Sequence, residues 1–190
     1  MMRNFVGWQD SSRILQFIEP GEEVLDFGCG SGATAHYLKE AGRRVSGCDI
    51  KDHRKHKDFP FKLTERIKAP FKDESFDAVI LAFVLHHCAK DQEKVLREAV
   101  RVARKKVIVL EDVPNSGTEE AWVRALDIVC NLPHGVQTNM VYHSEKGWER
   151  VFNDAGLEVK ARKRVRTVPV PVRKVLYVLE KKPKELVARK

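Results

Sequence analysis

The chain has 190 residues, a length typical of one domain, and 43% of them are hydrophobic, which is enough for a sizeable core. Its longest apolar runs, such as 78–85, are too short to cross a bilayer, and the first residues lack the apolar segment of a signal peptide. We therefore expect a cytoplasmic protein without membrane insertion. The four cysteines form no CxxC pair and show no regular spacing, so we expect reduced thiols rather than a disulfide framework.

The net charge of +8 is concentrated towards the C-terminal end of the sequence. From Lys160 onward there are twelve Lys and Arg residues against two Glu residues. Such a segment forms either a solvated face with a basic tail, which we favour, or a surface that attracts an anionic substrate or nucleic acid.

A short amphipathic helix is predicted near the start of the chain. Apolar residues recur at helical spacing between positions 10 and 19, and Pro20 ends the element. Trp8 and Phe5 precede this helix, and we expect them in the core rather than in a lid.

The segment VLDFGCGSGA, at 24–33, predicts a strand, a sharp turn and a helix. Asp26 stands at the tip of the strand, and Gly28, Gly30 and Gly32 form the turn. Glycine is required there because a tight turn needs unusual backbone angles, and because a side chain would hold a ligand away from the peptide groups. The N–H groups that open the helix favour a negatively charged ligand group.

A second strand follows this helix. Gly42 is a natural C-terminal cap for the helix, and 43–49 has the pattern of a strand that ends at Asp49. Strand, helix and strand within roughly thirty residues form a parallel, right-handed unit. Ligands of such units lie outside the carboxyl ends of the strands, where Asp26 and Asp49 converge.

Two classes of ligand fit this unit. A dinucleotide is one, because the turn also satisfies the looser dinucleotide pattern with Ala33 in the last place. Asp26 argues for the other, because a carboxylate two residues before Gly28 repels a pyrophosphate but suits a ligand that carries an ammonium and a sulfonium. An acidic residue followed by GxGxG resembles the first motif of the class I S-adenosylmethionine-dependent methyltransferases. That resemblance implies hydrogen bonds from both ribose hydroxyls to Asp49 and packing of adenine on Ile50.

The segment at 51–60 is too polar and too short for the crossover helix that usually follows in this family, so we expect a solvated loop. His53 and His56 lie in it as conceivable metal ligands, but the Lys and Arg residues around them oppose a cation. We therefore predict no metal site there. The third strand is expected at 59–64.

The segment APFKDESFDAVILAFVLHH, at 69–87, carries a second resemblance to the same family. It is similar to the small-molecule branch that includes ubiquinone and menaquinone methyltransferases. The resemblance implies that Glu65, followed by Arg66, reads the adenine amino group. It also implies that the end of the fourth strand, Ala82 and Phe83, approaches the methionine part of the cofactor with backbone carbonyls.

Two adjacent histidines follow the fourth strand, whose apolar run at 76–83 is typical of a central parallel strand. Because neighbouring residues on a strand point to opposite sides, we expect at most one of His86 and His87 to face the transferred methyl group. That residue either orients the substrate or acts as a general base. A structural histidine pair has equal weight, and a metal site is the least favoured alternative.

Further helices and strands are predicted in the second half of the chain. Relatives usually have a Pro-Gly-Gly turn before the fifth strand, so we expect a tighter connection here. The predicted helices lie at 91–103, at 118–131 and from Ser144 to near Gly156, and the predicted strands lie at 106–111, 157–168 and 172–180.

Substrate specificity usually lies in the region that follows the fifth strand of this fold. The apolar residues of the helix at 118–131, Trp122 among them, could line a pocket, but we expect them in the core. Spacing does not choose among the candidate substrate contacts, which are His134, Asn139, Tyr142 and His143.

These patterns and resemblances predict a three-layer α/β/α sandwich around a doubly wound, Rossmann-like sheet of seven strands, mostly parallel, with an antiparallel last strand. We expect one domain over 1–182, with a substrate-side insertion around 113–147, and a basic tail at 183–190. The predicted cofactor is S-adenosyl-L-methionine, and no metal ligands are predicted. The predicted catalytic residues are His86 and His87, and the predicted cofactor-binding residues are Asp26, Gly28, Cys29, Gly30, Gly32, Asp49, Ile50, Glu65, Arg66, Ala82 and Phe83.

The function that follows is methyl transfer to a small-molecule acceptor by in-line displacement, in which positioning and desolvation supply most of the catalysis. An RNA- or protein-directed methyltransferase that docks through the basic C-terminal strands is the first alternative, and nucleic acid is possible as a partner but not favoured. A non-catalytic module that retains the cofactor pocket for interaction is the second.

Overall fold

A computed structural model describes residues 2–131, 140–166 and 173–182 of the chain. The strands are β1 (Glu23–Phe27), β2 (Arg44–Asp49), β3 (Phe61–Leu63), β4 (Phe76–Ala82), β5 (Ala103–Asp112), β6 (Leu157–Arg166) and β7 (Arg173–Lys181). The α-helices are α1 (Met2–Leu15), α2 (Ala33–Glu40), α3 (Gln92–Val102), α4 (Gly117–Asn131) and α5 (Glu145–Asp154).

The strands form one seven-stranded sheet in the order β3-β2-β1-β4-β5-β7-β6. Neighbouring strands from β3 to β5 run parallel, whereas β7 runs antiparallel to both β5 and β6. The strand order reverses between β1 and β4, which is where open α/β sheets bind their ligands. The predicted sheet, including its antiparallel last strand, is confirmed.

Apolar side chains cover the sheet on both faces, which gives the predicted three layers. One face packs against α3 and α5, where Trp148 and Phe152 are fully buried beside Tyr177 of β7. The other face packs against α1 and α2, where Ile14 and Leu38 are fully buried. Burial of a large apolar side chain contributes about 1.5–3 kcal/mol relative to its exposed state, so the two layers supply most of the stabilisation of the fold.

The leading helix begins earlier and ends earlier than predicted. Helix α1 starts at Met2, and the predicted last turn is closed only by single bonds such as Phe17 N–H to Ile14 C=O at 2.9 Å. Ser11 and Ser12 lie inside α1, and their hydroxyls donate to backbone carbonyls one turn back, at 2.7 Å each. Hydroxyl side chains within helices commonly form such bonds.

The aromatic residues near the start of the chain do not behave as predicted. Trp8 is 51% exposed, so the expectation that it belongs to the core is wrong. The side chain of Phe5 lies outside the described residues.

The connection before the fifth strand is as tight as predicted. Helix α3 ends at Val102 and β5 begins at the next residue, Ala103, which pairs with Phe76 of β4. The pairing register of β4 and β5 shifts between Phe76 and Ala78, and this irregularity absorbs the abrupt change from helix to strand. Strand β5 is consequently longer than the predicted 106–111.

None of the helices within the described ranges combines the length and the apolar character needed to cross a membrane. The predicted tail at 183–190 and most of the segment between the helix predicted at 118–131 and Ser144 lie outside the described residues.

Candidate cofactor and acceptor site

The glycine-rich turn is attached directly to the end of β2. The backbone N–H groups of Gly28 and Cys29 both donate to the carbonyl oxygen of Cys48, at 2.8 and 3.1 Å. The N–H of Gly32 donates to the carbonyl of Cys29 at 2.8 Å, and Gly32 then opens α2 with a left-handed backbone. These hydrogen bonds fix the shape of the turn in the absence of a ligand.

The glycines of this turn serve two different purposes. A Cβ atom on Gly28 would lie 2.7 Å from Cγ2 of Val84, and one on Gly32 would lie 2.8 Å from the carbonyl oxygen of His56, so both are required by packing. A Cβ atom on Gly30 would meet nothing within 4 Å, although the φ angle of +51° also favours glycine. Gly30 therefore borders open space, where a ligand can approach its peptide groups.

Asp49 closes β2 with its carboxylate fixed by the backbone. Its Oδ2 accepts the N–H of Gly30 at 2.8 Å, and its Oδ1 accepts the N–H of Ile50 at 2.7 Å. An ionised carboxylate has about four acceptor positions, so each oxygen can accept another hydrogen bond. A vicinal diol could therefore bind to the two oxygens, and the side chain of Ile50, 56% exposed, stands next to this position.

Asp26 is 1% exposed and does not lie on an open surface. Its Oδ2 accepts the N–H of Ala35, in the first turn of α2, at 3.2 Å. Burial, together with the nearby charge of Asp49, raises the pKa of Asp26 to about 7. The Asp26 carboxylate thus accepts one of the helix N–H groups that were expected to favour a negatively charged ligand group. It also adds a negative electrostatic field beneath the turn.

Glu65 and Arg66 follow β3, close to the end of β2. The N–H of Thr64 donates to the carbonyl of Asp49 at 2.9 Å, so this loop continues from the same edge of the sheet. Glu65 is exposed, and the Arg66 guanidinium lies 3.8 Å from the carboxylate of Asp91.

The chain turns sharply at the end of β4. Strand β4 ends at Ala82, and Phe83 has a positive φ of 59°, a conformation that is strained for an aromatic residue. The N–H of Phe83 donates to the carbonyl of Leu110 at 2.8 Å, and the ammonium of Lys174 lies 4.6 Å from the centre of its ring. The strained turn directs the following residues across the carboxyl end of β5.

His86 and His87 do not lie on a strand, so the prediction that they point to opposite sides is wrong. They belong to a 3-10 turn, Leu85–His87, and their ring centres are 4.1 Å apart. Nε2 of His86 lies 2.9 Å from Oδ2 of Asp127, and Nε2 of His87 lies 3.9 Å from the same oxygen. Both histidines therefore face the same carboxylate of α4.

Glu111 holds the other side of the His86 ring. Its Oε2 lies 2.6 Å from Nδ1 of His86, while its Oε1 accepts the N–H of Leu85 at 2.8 Å. Burial by itself lowers the pKa of His86, but the charges and hydrogen bonds of Glu111 and Asp127 outweigh it and raise that pKa to about 10. His86 is consequently an imidazolium at neutral pH and has no lone pair with which to act as a base.

Tyr142 completes this cluster. Its hydroxyl donates to Oδ2 of Asp127 at 2.8 Å, and its ring stacks on that of His86 with 5.2 Å between centres. Next to it, Nε2 of His143 lies 2.8 Å from Oε1 of Gln92. Of the four candidate substrate contacts, Tyr142 thus lies beside the histidines, whereas His134 and Asn139 lie outside the described residues.

Sequence reasoning missed the two carboxylates that organise the histidines. Glu111 is fully buried at the end of an apolar strand, and a buried acid in that position is a signal for a specific partner. Asp127 lies within an apolar stretch of α4, and only the fold brings it to His86. In the same helix, Trp122 is 55% and Val129 is 72% exposed, so the expectation that they belong to the core is wrong, whereas Val123 is buried.

A buried ion pair joins the N-terminal helix to the sheet near this site. Nζ of Lys174 in β7 lies 2.7 Å from Oδ2 of Asp10 in α1, with both side chains 6% exposed or less. Asp112 of β5 lies opposite Lys174 in the register of β5 and β7. Burial raises the pKa of Asp112 to about 7. Helix α1 is therefore fastened to the carboxyl end of the sheet.

The chain is similar in sequence to known methyltransferases. The family model for a methyltransferase domain matches residues 25–110, which run from within β1 to within β5. The chain is 31% identical over 169 residues to a demethylmenaquinone methyltransferase of Corynebacterium kroppenstedtii, covering 78% of this chain and 73% of that protein. It spans less than two thirds of several other curated relatives of this kind.

Solved structures share the fold. A SAM-dependent methyltransferase of Methanosarcina mazei has a TM-score of 0.69 at 20% identity, over 90% of this chain and 98% of its own. A 1,6-didemethyltoxoflavin-N1-methyltransferase of Burkholderia thailandensis, with bound S-adenosylhomocysteine, has a TM-score of 0.72 at 14% identity, over 95% and 80%. The chain belongs to the class I S-adenosylmethionine-dependent methyltransferases, and S-adenosylmethionine is its cofactor.

Proposed function

We propose that the protein binds S-adenosylmethionine across the carboxyl ends of β1, β2 and β4 and methylates a small-molecule acceptor that lies beside the ends of β4 and β5. The observation that carries this proposal is the Asp49 carboxylate, which the N–H groups of Gly30 and Ile50 hold at 2.8 and 2.7 Å next to an open turn. The proposal treats 1–182 as one domain, in which 113–147 is an insertion on the acceptor side.

The residues at the ends of β1 and β2 bind the nucleoside part in this proposal. Asp49 accepts both ribose hydroxyls, because its two oxygens are fixed by backbone donors and have acceptor positions to spare. Ile50 packs against the adenine ring, and Glu65, with Arg66 beside it, contacts the adenine amino group. Gly28, Cys29, Gly30 and Gly32 form the backbone wall of the site.

The residues that face the methionine part favour positive charge. Asp26 attracts the cationic groups through its electrostatic field and not by direct contact, because its carboxylate is buried beneath the turn and accepts the N–H of Ala35. Ala82 and Phe83 offer backbone carbonyls at the end of β4. A carboxylate and carbonyl dipoles in a site of low dielectric hold an ammonium and a sulfonium far better than they would in water.

S-adenosylmethionine supplies an electrophilic methyl group, which passes to the acceptor by in-line displacement and leaves S-adenosylhomocysteine. Because this donor is already activated, the protein's part is to align the two reactants and to exclude water. The rigid turn and the cluster of His86, Glu111 and Asp127 provide fixed walls for that alignment.

His86 is a positioning residue in this proposal, since both of its nitrogens are held by carboxylates. His87, with its side chain 20% exposed, and the hydroxyl of Tyr142 are the groups of the cluster that contact the acceptor. They offer polar contacts together with aromatic faces, an arrangement that suits a ring bearing oxygen.

The acceptor class follows from two observations. The Corynebacterium relative carries the name of a demethylmenaquinone methyltransferase, which favours an aromatic small molecule of this kind. An RNA-directed activity is less favoured, because three basic residues of β6 are paired with carboxylates. Arg162 pairs with Glu149 at 2.8 Å, Arg164 with Glu145 at 2.8 Å, and Lys160 with Glu158.

Transfer of a labelled methyl group tests the proposal. The full chain is incubated with methyl-labelled S-adenosylmethionine and, in parallel, with a panel of quinols and hydroxylated aromatic compounds, with bulk tRNA, and without an acceptor. We expect label in one or more small molecules and none above background in tRNA. Label in tRNA alone would contradict the acceptor class, and cofactor binding without transfer to any acceptor would favour the non-catalytic alternative.

A further inference from the structure

The cluster beside the acceptor site brings together side chains of the types that ligate transition metals. His86, His87 and Asp127 each offer one ligand atom, and these atoms lie within 4.8 Å of one another. Oδ2 of Asp127 is 2.9 Å from Nε2 of His86 and 3.9 Å from Nε2 of His87. Two imidazole nitrogens and one carboxylate oxygen are borderline ligands that suit Zn²⁺, Co²⁺ or Fe²⁺ rather than Mg²⁺ or Ca²⁺. The closest pair of these atoms, at 2.9 Å, is already near the separation of two ligands on one ion.

The surroundings of these three residues are those of a metal site. Oε2 of Glu111 lies 2.6 Å from Nδ1 of His86 and fixes the ring so that Nε2 points to Asp127. Histidine ligands in proteins almost always donate their second N–H to a carboxylate in this manner. Tyr142 holds Oδ2 of Asp127 from another side, with its hydroxyl at 2.8 Å.

The charge around the cluster also favours a cation. Three carboxyl groups lie here, those of Glu111 and Asp112 at the end of β5 and that of Asp127 within α4. Lys174 lies opposite Asp112 in the register of β5 and β7. Lys174 is itself paired with a fourth carboxylate, that of Asp10. A divalent ion balances part of this negative charge.

From this geometry we propose that His86, His87 and Asp127 bind one divalent transition-metal ion, with Glu111 as the carboxylate that orients His86. The ion takes the place of the Nε2 proton of His86, which leaves to solvent. Three protein ligands leave at least one coordination position for water or another oxygen ligand. This inference goes beyond the methyltransferase activity and does not depend on which acceptor is used.

A second cluster of similar composition serves as a natural comparison. His36 and Glu40 of α2 approach Asp58 closely enough to share an ion, but these residues are more exposed. The ammonium of Lys39 lies 3.4 Å from Oδ2 of Asp58 and already neutralises this carboxylate. We therefore assign the metal site to the His86 cluster and not to this one.

Cobalt spectroscopy tests the assignment. The full chain is treated with a chelator, dialysed, and titrated with Co²⁺ while its visible absorption is recorded, and Zn²⁺ is then added. We expect ligand-field bands that saturate at one Co²⁺ per chain and that Zn²⁺ abolishes by competition. No bands above those of the metal in buffer, or no saturation, would overturn the proposal.

Two variants locate the ion. His87→Ala removes a ligand whose side chain is 20% exposed, so the fold is expected to persist, which circular dichroism checks. We expect the Co²⁺ affinity to fall by more than the roughly 10- to 100-fold that loss of an outer carboxylate costs. His36→Ala serves as the matched control and is expected to leave the affinity unchanged, and the reverse pattern would overturn the assignment. Thermal stabilisation by S-adenosylhomocysteine, measured in the same samples without metal, tests the methyltransferase function separately.

Discussion

Oδ2 of Asp49 accepts the backbone N–H of Gly30 at 2.8 Å, across a separation of nineteen residues. This single bond joins the end of β2 to the open position of the glycine-rich turn. Both partners belong to the proposed nucleoside site, so the same carboxylate shapes the site and remains available to a ligand.

Asp49→Ala is expected to remove most of the affinity for S-adenosylhomocysteine. Loss of hydrogen bonds to a charged group costs about 1.5–3 kcal/mol each, so the dissociation constant should rise by roughly two orders of magnitude or more. Isothermal titration calorimetry measures this change.

Asp73→Asn is the matched control for that experiment. Asp73 pairs with Arg101 at 2.7 Å, and it precedes β4 at the opposite end of the strand. Its replacement should leave the affinity unchanged. An Asp49→Ala variant that binds as tightly as the natural protein would remove Asp49 from the site.

Substitutions of the turn glycines are expected to affect protein stability and ligand binding to different extents. Gly30→Ala places a methyl group in open space, so it should cost only the roughly 1–2 kcal/mol of a left-handed backbone while it obstructs the ligand. Gly28→Ala adds a contact of 2.7 Å with Val84 and should destabilise the protein further. Chemical denaturation and ligand titration together check both expectations.

Gly42→Ala provides the control for these glycine variants. Gly42 also has a positive φ, of 78°, and a Cβ atom there would meet nothing within 4 Å. It should therefore show the backbone cost of Gly30→Ala without any loss of binding. Equal binding by the Gly30→Ala and Gly42→Ala variants would contradict a ligand beside Gly30.

The proximity of Asp26 to a cationic ligand predicts a pH-dependent affinity. The pKa of Asp26 is about 7 in the ligand-free protein because of burial, and a nearby positive charge lowers it. The carboxylate form therefore binds more tightly, and affinity for S-adenosylmethionine should fall by up to about tenfold for each pH unit below 7. Titrations between pH 5 and 8 measure this, with Asp26→Asn as the variant that should lose the dependence.

The raised pKa of Asp26 affects folding in the opposite direction, since it makes the free energy of unfolding fall as pH rises. Because the pKa of Asp26 in the folded, ligand-free protein exceeds the ordinary value of 3.8, this residue binds its proton more tightly in the folded chain. Its contribution to the free energy of unfolding is present below pH 4 and is lost as pH rises to about 7. The difference in this profile between the natural protein and Asp26→Asn isolates the effect, and identical profiles would contradict it.

The buried pair of Asp10 and Lys174 is expected to fasten α1. Removal of one partner leaves a buried charge, so Asp10→Asn should lower the free energy of unfolding by about 3–5 kcal/mol. The double variant Asp10→Asn with Lys174→Met should recover part of that loss. Arg44→Ala breaks an exposed pair with Glu23 at 3.0 Å and should change stability by less than about 1 kcal/mol.

Sequence patterns predicted the strands of the sheet and the glycine-rich turn because those features have local signals. Each of these signals determines the structure of its own segment. The glycines at 28, 30 and 32 determine the turn, the apolar run determines β4, and Ser144 determines the start of α5. The hydroxyl of Ser144 accepts the N–H of Gly147 at 3.2 Å. The continuous apolar run of β4 and the helical apolar spacing of the helices similarly predicted a sheet covered on both faces.

The acceptor side could not be predicted because its contacts join distant segments. Asp127 meets His86 across roughly forty residues, and nothing in the local pattern of α4 distinguishes this carboxylate from a solvated one. The strained turn at Phe83 converts the expected strand end into a 3-10 turn, which places both histidines on one side. The exposure of Trp122 likewise depends on which face of α4 is buried, and that face carries Val123.

A crystal structure of the chain with S-adenosylhomocysteine tests the central claim most directly. We expect the two ribose hydroxyls within hydrogen-bond distance of the two oxygens of Asp49, and the sulfur directed towards the space between the ends of β4 and β5. A ligand bound elsewhere, or a glycine-rich turn that stays empty at saturating ligand, would contradict the proposed site.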